Sequence, residues 1–108
     1  MISYRYMRII VIFDLPVKSK KERRIATWFR KALLDDGFDM LQYSVYSRLC
    51  ANRDDAHKHL ERVKREAPKT GSIRLLMLTE RQFTEMYVIA GEKTAQEQLN
   101  IPTQLAFF

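Results

Sequence analysis

The stretch Arg8–Pro16, RIIVIFDLP, constrains the fold more than any other part of the chain. It is rich in Ile, Val and Phe and lacks the polar alternation of a half-exposed strand. Residues 8–15 are therefore predicted to form a central strand that is covered on both faces. Pro16 has no backbone N–H to donate and marks the end of this strand. A chain of 108 residues has the length of one domain, so the remaining elements must pack around this strand.

Capping and turn residues place the next elements. Ser19 and Glu22 have the spacing of a capping box, so a helix is predicted to begin just after Ser19. Gly37 predicts the end of this helix. Residues 38–50 contain β-branched and aromatic side chains but neither Gly nor Pro. They are predicted to form either one long bent strand or a tight hairpin near Tyr43 and Ser44.

The second half of the chain repeats the pattern of strand and helix. Asn52 is a candidate N-cap for a second helix, residues 73–78 are strand-like, and Thr79 with Gln82 can cap a short third helix. Residues 87–90 are expected to return as a short strand. The order of these elements is typical of a ferredoxin-like split βαβ sandwich of the α+β class.

Two segments divide the chain. Residues 1–91 are assigned to the ferredoxin-like domain, and residues 92–108 to a linker followed by a C-terminal strand or tail. The last four residues, LAFF, are apolar and have no obvious room in so small a core. We therefore expect this tail to pack on another chain, most simply on a second copy in a homodimer.

Composition limits the class of partner and the compartment. The net charge of +6 makes a polyanionic partner plausible. Cys50 is the only cysteine, which excludes an internal disulfide and a cysteine-based zinc site. The apolar run near the N-terminus is too short to span a bilayer, and a cytoplasmic protein is expected.

Basic residues of the first predicted helix fall on the side opposite its apolar face. A solvated face usually mixes both signs, so this basic stripe is favoured as a phosphate-contacting surface. The second helix mixes both signs, and its His57 and His59 are interpreted as exposed polar side chains because a spacing of two separates them on a helix. The basic stripe consists of Lys20, Arg23, Arg24, Arg30 and Lys31.

Asp14 ends the buried strand and has two interpretations. A carboxylate there can reach a crevice suited to metal or substrate chemistry, or it can accept backbone N–H bonds that end the strand. A Mg²⁺ site needs several oxygen ligands, and one Asp per chain is too few. A twofold dimer would bring two copies of Asp14 together. Ser44 has no evident neighbouring base and is interpreted as a buried strand serine.

Four segments together resemble a known family. They are VIFDLP with its terminal Asp14, the helix opening ERR, the segment GFDMLQYSVYSRL, and LLMLTERQF. In order and spacing they are similar to the small CRISPR-associated adapter protein that partners the spacer integrase, and the resemblance covers essentially the whole chain. The opening SYRYMR and the segment LTERQF are most similar to the type II-A branch of this family.

The resemblance implies a ferredoxin-like fold, a symmetric homodimer, and assembly with the integrase subunit during spacer acquisition. In that assembly the dimer binds the backbone of the incoming duplex DNA. Several members of the family are also described as Mg²⁺-dependent endonucleases acting on RNA or double-stranded DNA. Their metal ligand is the Asp that ends the first strand, a position that Asp14 matches.

The main hypothesis is a non-catalytic adapter whose basic stripe contacts DNA phosphates with little regard to sequence. The alternative is a Mg²⁺-dependent endonuclease that uses Asp14 as catalytic residue and metal ligand, paired across the dimer. A third reading, an RNA-recognition module, ranks last because the aromatic pattern that such modules use for stacking is missing. The tail Ile101–Phe108 is predicted to add a strand to the partner's sheet or to dock the integrase.

Overall fold

The structure is a computed structural model and describes residues 5–94. Its sheet has four antiparallel strands in the spatial order β2-β3-β1-β4, and helices connect them. The elements are β1 (Met7–Asp14), α1 (Lys20–Asp35), β2 (Asp39–Gln42), β3 (Val45–Cys50), α2 (Arg53–Glu66), β4 (Ser72–Thr79) and α3 (Glu80–Thr84). This confirms the predicted α+β, ferredoxin-like class with β1 in the middle of the sheet.

The local signals read from the sequence form the caps that they predict. The Ser19 Oγ accepts a hydrogen bond from the Glu22 N–H at 3.0 Å, and the Glu22 carboxylate accepts one from the Ser19 N–H at 2.8 Å. Gly37 has a φ of +91°, which an L side chain rarely adopts, and it follows the end of α1. Thr79 forms the same kind of capping box with Gln82 at α3, and the Asn52 side chain caps α2 by accepting a hydrogen bond from the Asp55 N–H.

Residues 38–50 form a tight hairpin and not one long strand. Ser44 lies in the turn between β2 and β3 with a φ of 63°, in the left-handed region. Its carbonyl accepts a hydrogen bond from the Phe13 N–H at 3.1 Å, which joins the turn to β1. The interpretation of Ser44 as a buried strand residue is therefore wrong, because the chain reverses direction at this residue.

The two faces of the sheet differ in how well they are covered. One face carries Met7, Ile9, Val11 and Phe13 of β1, which are buried with residues of α1 and α2 such as Phe29. We call the opposite side the outer face; on β1 it consists of Arg8, Ile10, Ile12 and Asp14.

The outer face is covered only at the beginning of β1. Arg8 and Ile10 are buried there, whereas Ile12 is 46% exposed and Leu76 on β4 is 54% exposed. The prediction that β1 is covered on both faces therefore holds only for its first half. The reason is that α3 is short and lies against the start of β1, where the Glu80 N–H donates to the Tyr6 carbonyl at 3.0 Å.

The predicted short strand at 87–90 is wrong for the described residues, since none of residues 85–94 belongs to a strand. Tyr87 is 89% exposed and Ile89 is 92% exposed. An extended segment needs a neighbour for its backbone N–H and C=O groups, and the chain supplies no such neighbour within residues 5–94. The predicted C-terminal strand or tail at 95–108 lies outside the described residues. No helix within residues 5–94 has the length and apolarity to cross a membrane.

Candidate nucleic-acid interface and metal site

Asp14 lies at the exposed end of β1, paired in the sheet with Ser72 of β4. The turn before β4 packs tightly on it: a Cβ added to Gly71 would lie 2.5 Å from the Asp14 carbonyl oxygen, so only glycine fits there. Within residues 5–94 the Asp14 carboxylate makes no hydrogen bond or ion pair. The structure thus gives no support to a role in ending the strand through backbone N–H bonds.

The described part of one chain does not form a metal site around Asp14. No group of three or more His, Cys, Asp or Glu side chains within residues 5–94 is close enough to hold a metal ion. A Mg²⁺ ion is usually bound through one or two carboxylates together with water and phosphate oxygens. Within residues 5–94 Asp14 does not belong to a larger group of ligands, so further protein ligands would come from outside this part of the chain, for example from a second copy of Asp14.

Two members of the basic stripe are held by hydrogen bonds within the chain. The Arg23 Nη1 donates to the carbonyls of Val17 and Lys18 at 3.1 and 3.0 Å, which orders the loop between β1 and α1. The Arg30 Nη2 donates to the Ser44 Oγ at 2.8 Å, which ties α1 to the hairpin turn. Both side chains therefore have a structural role in addition to the one predicted from the sequence.

The other three members of the stripe lie on the solvent side of α1. Lys31 forms an exposed ion pair with Asp35 at 2.9 Å, a contact of the kind that contributes little to stability. Lys20 and Arg24 are exposed and form no hydrogen bond or ion pair within residues 5–94. Of the basic stripe, Lys20 and Arg24 are thus the side chains best placed to contact an external phosphate.

His59 is buried, which corrects the prediction that both histidines are exposed. Its Nδ1 lies 2.8 Å from Asp36 Oδ2 and its Nε2 lies 3.4 Å from Asp55 Oδ1. Asp36 follows α1 and also accepts a hydrogen bond from Arg62 at 2.8 Å. The helical period brings His59 to the inner side of α2, and the end of α1 supplies its partner; His57 is exposed as predicted.

Hydrogen bonds in and around this cluster lower the pKa values of Asp36 and Asp55. Burial raises the pKa of Asp36, but the hydrogen bonds from His59 and Arg62 outweigh burial and bring this pKa below its ordinary value. For Asp55, the backbone N–H of Ala51 is the largest cause that lowers the pKa. This cluster links α1 to α2 on the helical side of the sheet, away from the outer face.

The lowered pKa of Asp36 predicts that the protein loses stability in acid. Its pKa is lower in the folded state, so its contribution to the free energy of unfolding is present above the ordinary value of 3.8 and is lost as the pH falls below it. We expect Asp36→Asn to cost about 2 kcal/mol at pH 7 and to approach wild-type stability as the pH falls through the lowered pKa of Asp36. Urea unfolding across this pH range measures the difference, with Asp35→Asn as the control. A difference that grows on acidification would contradict this sign.

A buried ion pair joins β1 to α3, and sequence reasoning missed it. Arg8 Nε and Nη2 donate to Glu80 Oε1 and Oε2 at 2.7 and 2.6 Å, and the guanidinium carbon lies 4.2 Å from the centre of the Phe83 ring. Arg8 is fully buried. A charged residue inside an apolar run was the available signal, because a buried arginine requires a partner.

Comparison with known proteins assigns the family. The family model described as "CRISPR associated protein Cas2" matches residues 7–86. A protein of Acidovorax ebreus (strain TPSY), named CRISPR-associated endoribonuclease Cas2, is 46% identical over 102 residues, which are 94% of this chain and 100% of that protein. A protein of the same name from Campylobacter jejuni is 41% identical over 108 residues, covering 100% of this chain and 76% of that protein.

A solved structure agrees with this assignment at the level of the fold. The structure, described as "Crystal structure of cas2", matches with a TM-score of 0.50 and 15% identity, over 83% of this chain and 92% of that chain. The family model and the sequence relatives span β1 to α3, the same elements that form the ferredoxin-like sheet. The family resemblance seen in the sequence is thereby confirmed, and the chain belongs to the Cas2 family of CRISPR-associated proteins.

Proposed function

We propose that this chain is the adapter subunit of a CRISPR spacer-acquisition complex. As a homodimer, it binds duplex protospacer DNA through the DNA backbone and bridges integrase subunits. The observation that carries the proposal is the exposed cationic face of α1, where Lys20 and Arg24 have no partner within residues 5–94. The net charge of +6 has the sign that such a role requires. Its expected compartment is the cytoplasm.

Backbone binding follows from the chemistry of these side chains. Lysine and arginine on one helix face attract phosphates as charges and do not read base edges, so affinity is expected to depend on salt and little on sequence. Arg23 and Arg30 lie on the same helix, but each already bonds to another part of the chain. We therefore expect Lys20 and Arg24 to make the larger individual contributions.

The double variant Lys20→Ala/Arg24→Ala tests this interface. Each lost phosphate contact reduces the slope of log affinity against log salt by about 0.9, so we expect a slope smaller by about 2 when one protomer contacts the duplex and by about 4 when both protomers of the dimer do. Fluorescence anisotropy with a labelled duplex at several NaCl concentrations measures it. The matched control is Lys64→Ala/Arg65→Ala, which removes the same charge from α2. Equal slopes in the two variants would contradict a specific role for the α1 face.

A second function, a Mg²⁺-dependent endonuclease on RNA or double-stranded DNA, is supported by two observations. The relatives from Acidovorax and Campylobacter are named endoribonucleases. Asp14 is exposed and forms no hydrogen bond or ion pair within residues 5–94, so its carboxylate is available to a metal ion. Because residues 5–94 of one chain supply only Asp14 at this end of β1, we place the metal ion between two copies of Asp14 that meet in a dimer.

Asp14→Asn separates the two functions. If the endonuclease is real, cleavage of RNA or duplex DNA falls to background in Asp14→Asn and in wild type treated with EDTA, while duplex binding stays within about twofold. Asp35→Asn, at an exposed aspartate of α1, is the control and is expected to cleave like wild type. Cleavage that survives in Asp14→Asn would show that another site or a contaminant is responsible.

The homodimer in this proposal is supported by the apolar surface that the single chain leaves open. Ile12 and Leu76 on the outer face are about half exposed, and Tyr87 and Ile89 beyond α3 are about nine-tenths exposed. Asp14 lies on the same face as Ile12 because alternate residues of a strand share a face. A twofold interface on the outer face would therefore place two Asp14 side chains at one interface.

A further inference from the structure

An exposed tyrosine at the hairpin turn, Tyr43, packs against the guanidinium of Arg30. Tyr43 is 74% exposed, yet the Arg30 guanidinium carbon lies 4.6 Å from the centre of its ring. The same guanidinium lies 5.2 Å from the centre of the buried Phe13 ring and donates to the Ser44 Oγ. Arg30 thus contacts both rings and connects an exposed aromatic side chain to the core.

This arrangement is unusual for a turn residue that only faces solvent. The Arg30 Nε is buried and has no hydrogen-bond partner within residues 5–94, so the position of this guanidinium carries an energetic cost. The Arg30 side chain contacts Phe13, Tyr43 and Ser44, and these contacts fix the hairpin turn against β1. One face of the Tyr43 ring is directed at Arg30, and the high exposure of Tyr43 leaves most of the ring open to a ligand.

The turn lies beside the end of β1. In the ladder between β1 and β3, Ile12 is paired with Val45, and the hydrogen bond from Phe13 to Ser44 continues this register by one residue. Tyr43 precedes Ser44 in this turn, and Asp14 follows Phe13 as the last residue of β1. Tyr43, Asp14 and the cationic Arg30 are therefore brought to the same end of the sheet.

We propose that Tyr43 stacks on an unpaired nucleobase of the bound nucleic acid, at the end of the sheet where β1 ends, with Arg30 holding the ring in position. The inference rests on the nucleic-acid binding proposed above and adds a contact to a base face. Bases inside a duplex are covered by their neighbours, so an open aromatic ring selects a terminal, overhanging or otherwise unstacked base. The ligand class is therefore a duplex with an unpaired end, or single-stranded nucleic acid.

The test compares two DNA duplexes of the same sequence, one blunt and one with a single-stranded overhang containing 2-aminopurine. For wild type we expect tighter binding of the overhang duplex and quenching of the 2-aminopurine fluorescence on binding. Tyr43→Ala is expected to bind the overhang duplex about 5- to 100-fold more weakly and to lose the quenching, with blunt-duplex affinity and salt slope unchanged. Tyr43→Phe is expected to keep both properties.

Controls distinguish stacking from other roles of Tyr43. Tyr43→Leu keeps apolar bulk at the turn but cannot stack, so it is expected to behave like Tyr43→Ala. Thermal unfolding of each variant checks that the fold is intact. We expect each variant to fold, because Tyr43 is exposed and its substitution leaves no cavity in the core.

Three results would overturn the proposal. Equal loss of affinity for both duplexes in Tyr43→Ala, or no change for either, would exclude a contact with an unpaired base while leaving the α1 interface intact. A shift of Tyr43→Ala from dimer to monomer in analytical ultracentrifugation would show that the ring packs on a second copy of the chain. Failure of wild type to bind any of these nucleic acids would reject the proposed function together with this contact.

Discussion

Arg8→Met is expected to lower the free energy of unfolding by about 3–5 kcal/mol, because it leaves the buried Glu80 carboxylate without its partner. Arg8 is fully buried and the Glu80 side chain is 9% exposed, so solvent cannot replace the lost contacts. For a domain of this size the loss corresponds to a fall of more than about 10 °C in Tm. Thermal and urea unfolding at pH 7 measure both quantities.

Two further variants make this prediction specific to the ion pair. Arg8→Met/Glu80→Leu removes both charges and is expected to recover most of the stability, since an apolar pair can replace a buried ion pair. Arg81→Met, at an arginine of α3 whose side chain is 80% exposed, is expected to change stability by less than about 0.5 kcal/mol. Equal losses of unfolding free energy for Arg8→Met and Arg81→Met would show that the buried ion pair of Arg8 is not the cause of the loss.

Leu76→Asp is expected to convert the proposed homodimer into a monomer. Leu76 lies on the outer face and is 54% exposed, so one chain alone tolerates the change. In a twofold dimer the substitution buries two uncompensated carboxylates, which raises the dimer Kd by at least about 100-fold. Sedimentation equilibrium of wild type and variant over a range of protein concentrations measures the Kd.

Leu34→Asp is the matched control for this second experiment. Leu34 is 52% exposed and lies on α1, on the helical side of the sheet. It is expected to leave the dimer Kd within about threefold of wild type, since a surface away from the interface is insensitive to such changes. A dimer that persists in Leu76→Asp but dissociates in Leu34→Asp would show that the interface lies on the helices and not on the outer face. A wild type that stays monomeric would exclude the homodimer.

The dimer experiment also bears on the endonuclease. Because that function requires two Asp14 residues, Leu76→Asp is expected to lose cleavage together with dimerisation even though Asp14 is unchanged. Cleavage by the monomeric variant would show that the endonuclease does not need two copies of Asp14.

The assignment to the type II-A branch stays a prediction. It rests on the segments SYRYMR and LTERQF, which are in contact in the structure through Arg8, Glu80 and Phe83.

Caps and helix ends were predictable because they depend on residues within one helical turn. Ser19 with Glu22, Asn52, and Thr79 with Gln82 form the predicted caps with local hydrogen bonds. The choice between a long strand and a hairpin at 38–50 was not predictable, because the turn contains neither Gly nor Pro. It uses Ser44 in a left-handed conformation, held by Phe13 and Arg30 from elsewhere in the chain.

For the candidate site, two features follow from residue spacing alone: Asp14 ends the first strand, and α1 carries a basic stripe. Three others depend on how the elements pack: Arg23 and Arg30 bind the chain itself, His59 is buried between two carboxylates, and Arg8 is paired with Glu80. Arg30, His59 and Arg8 have partners 14, 23 and 72 residues away along the chain, so these contacts form only when the sheet and helices pack. Arg23 binds the nearby loop carbonyls of Val17 and Lys18, but only because the loop folds back onto the first turn of α1, which spacing does not reveal.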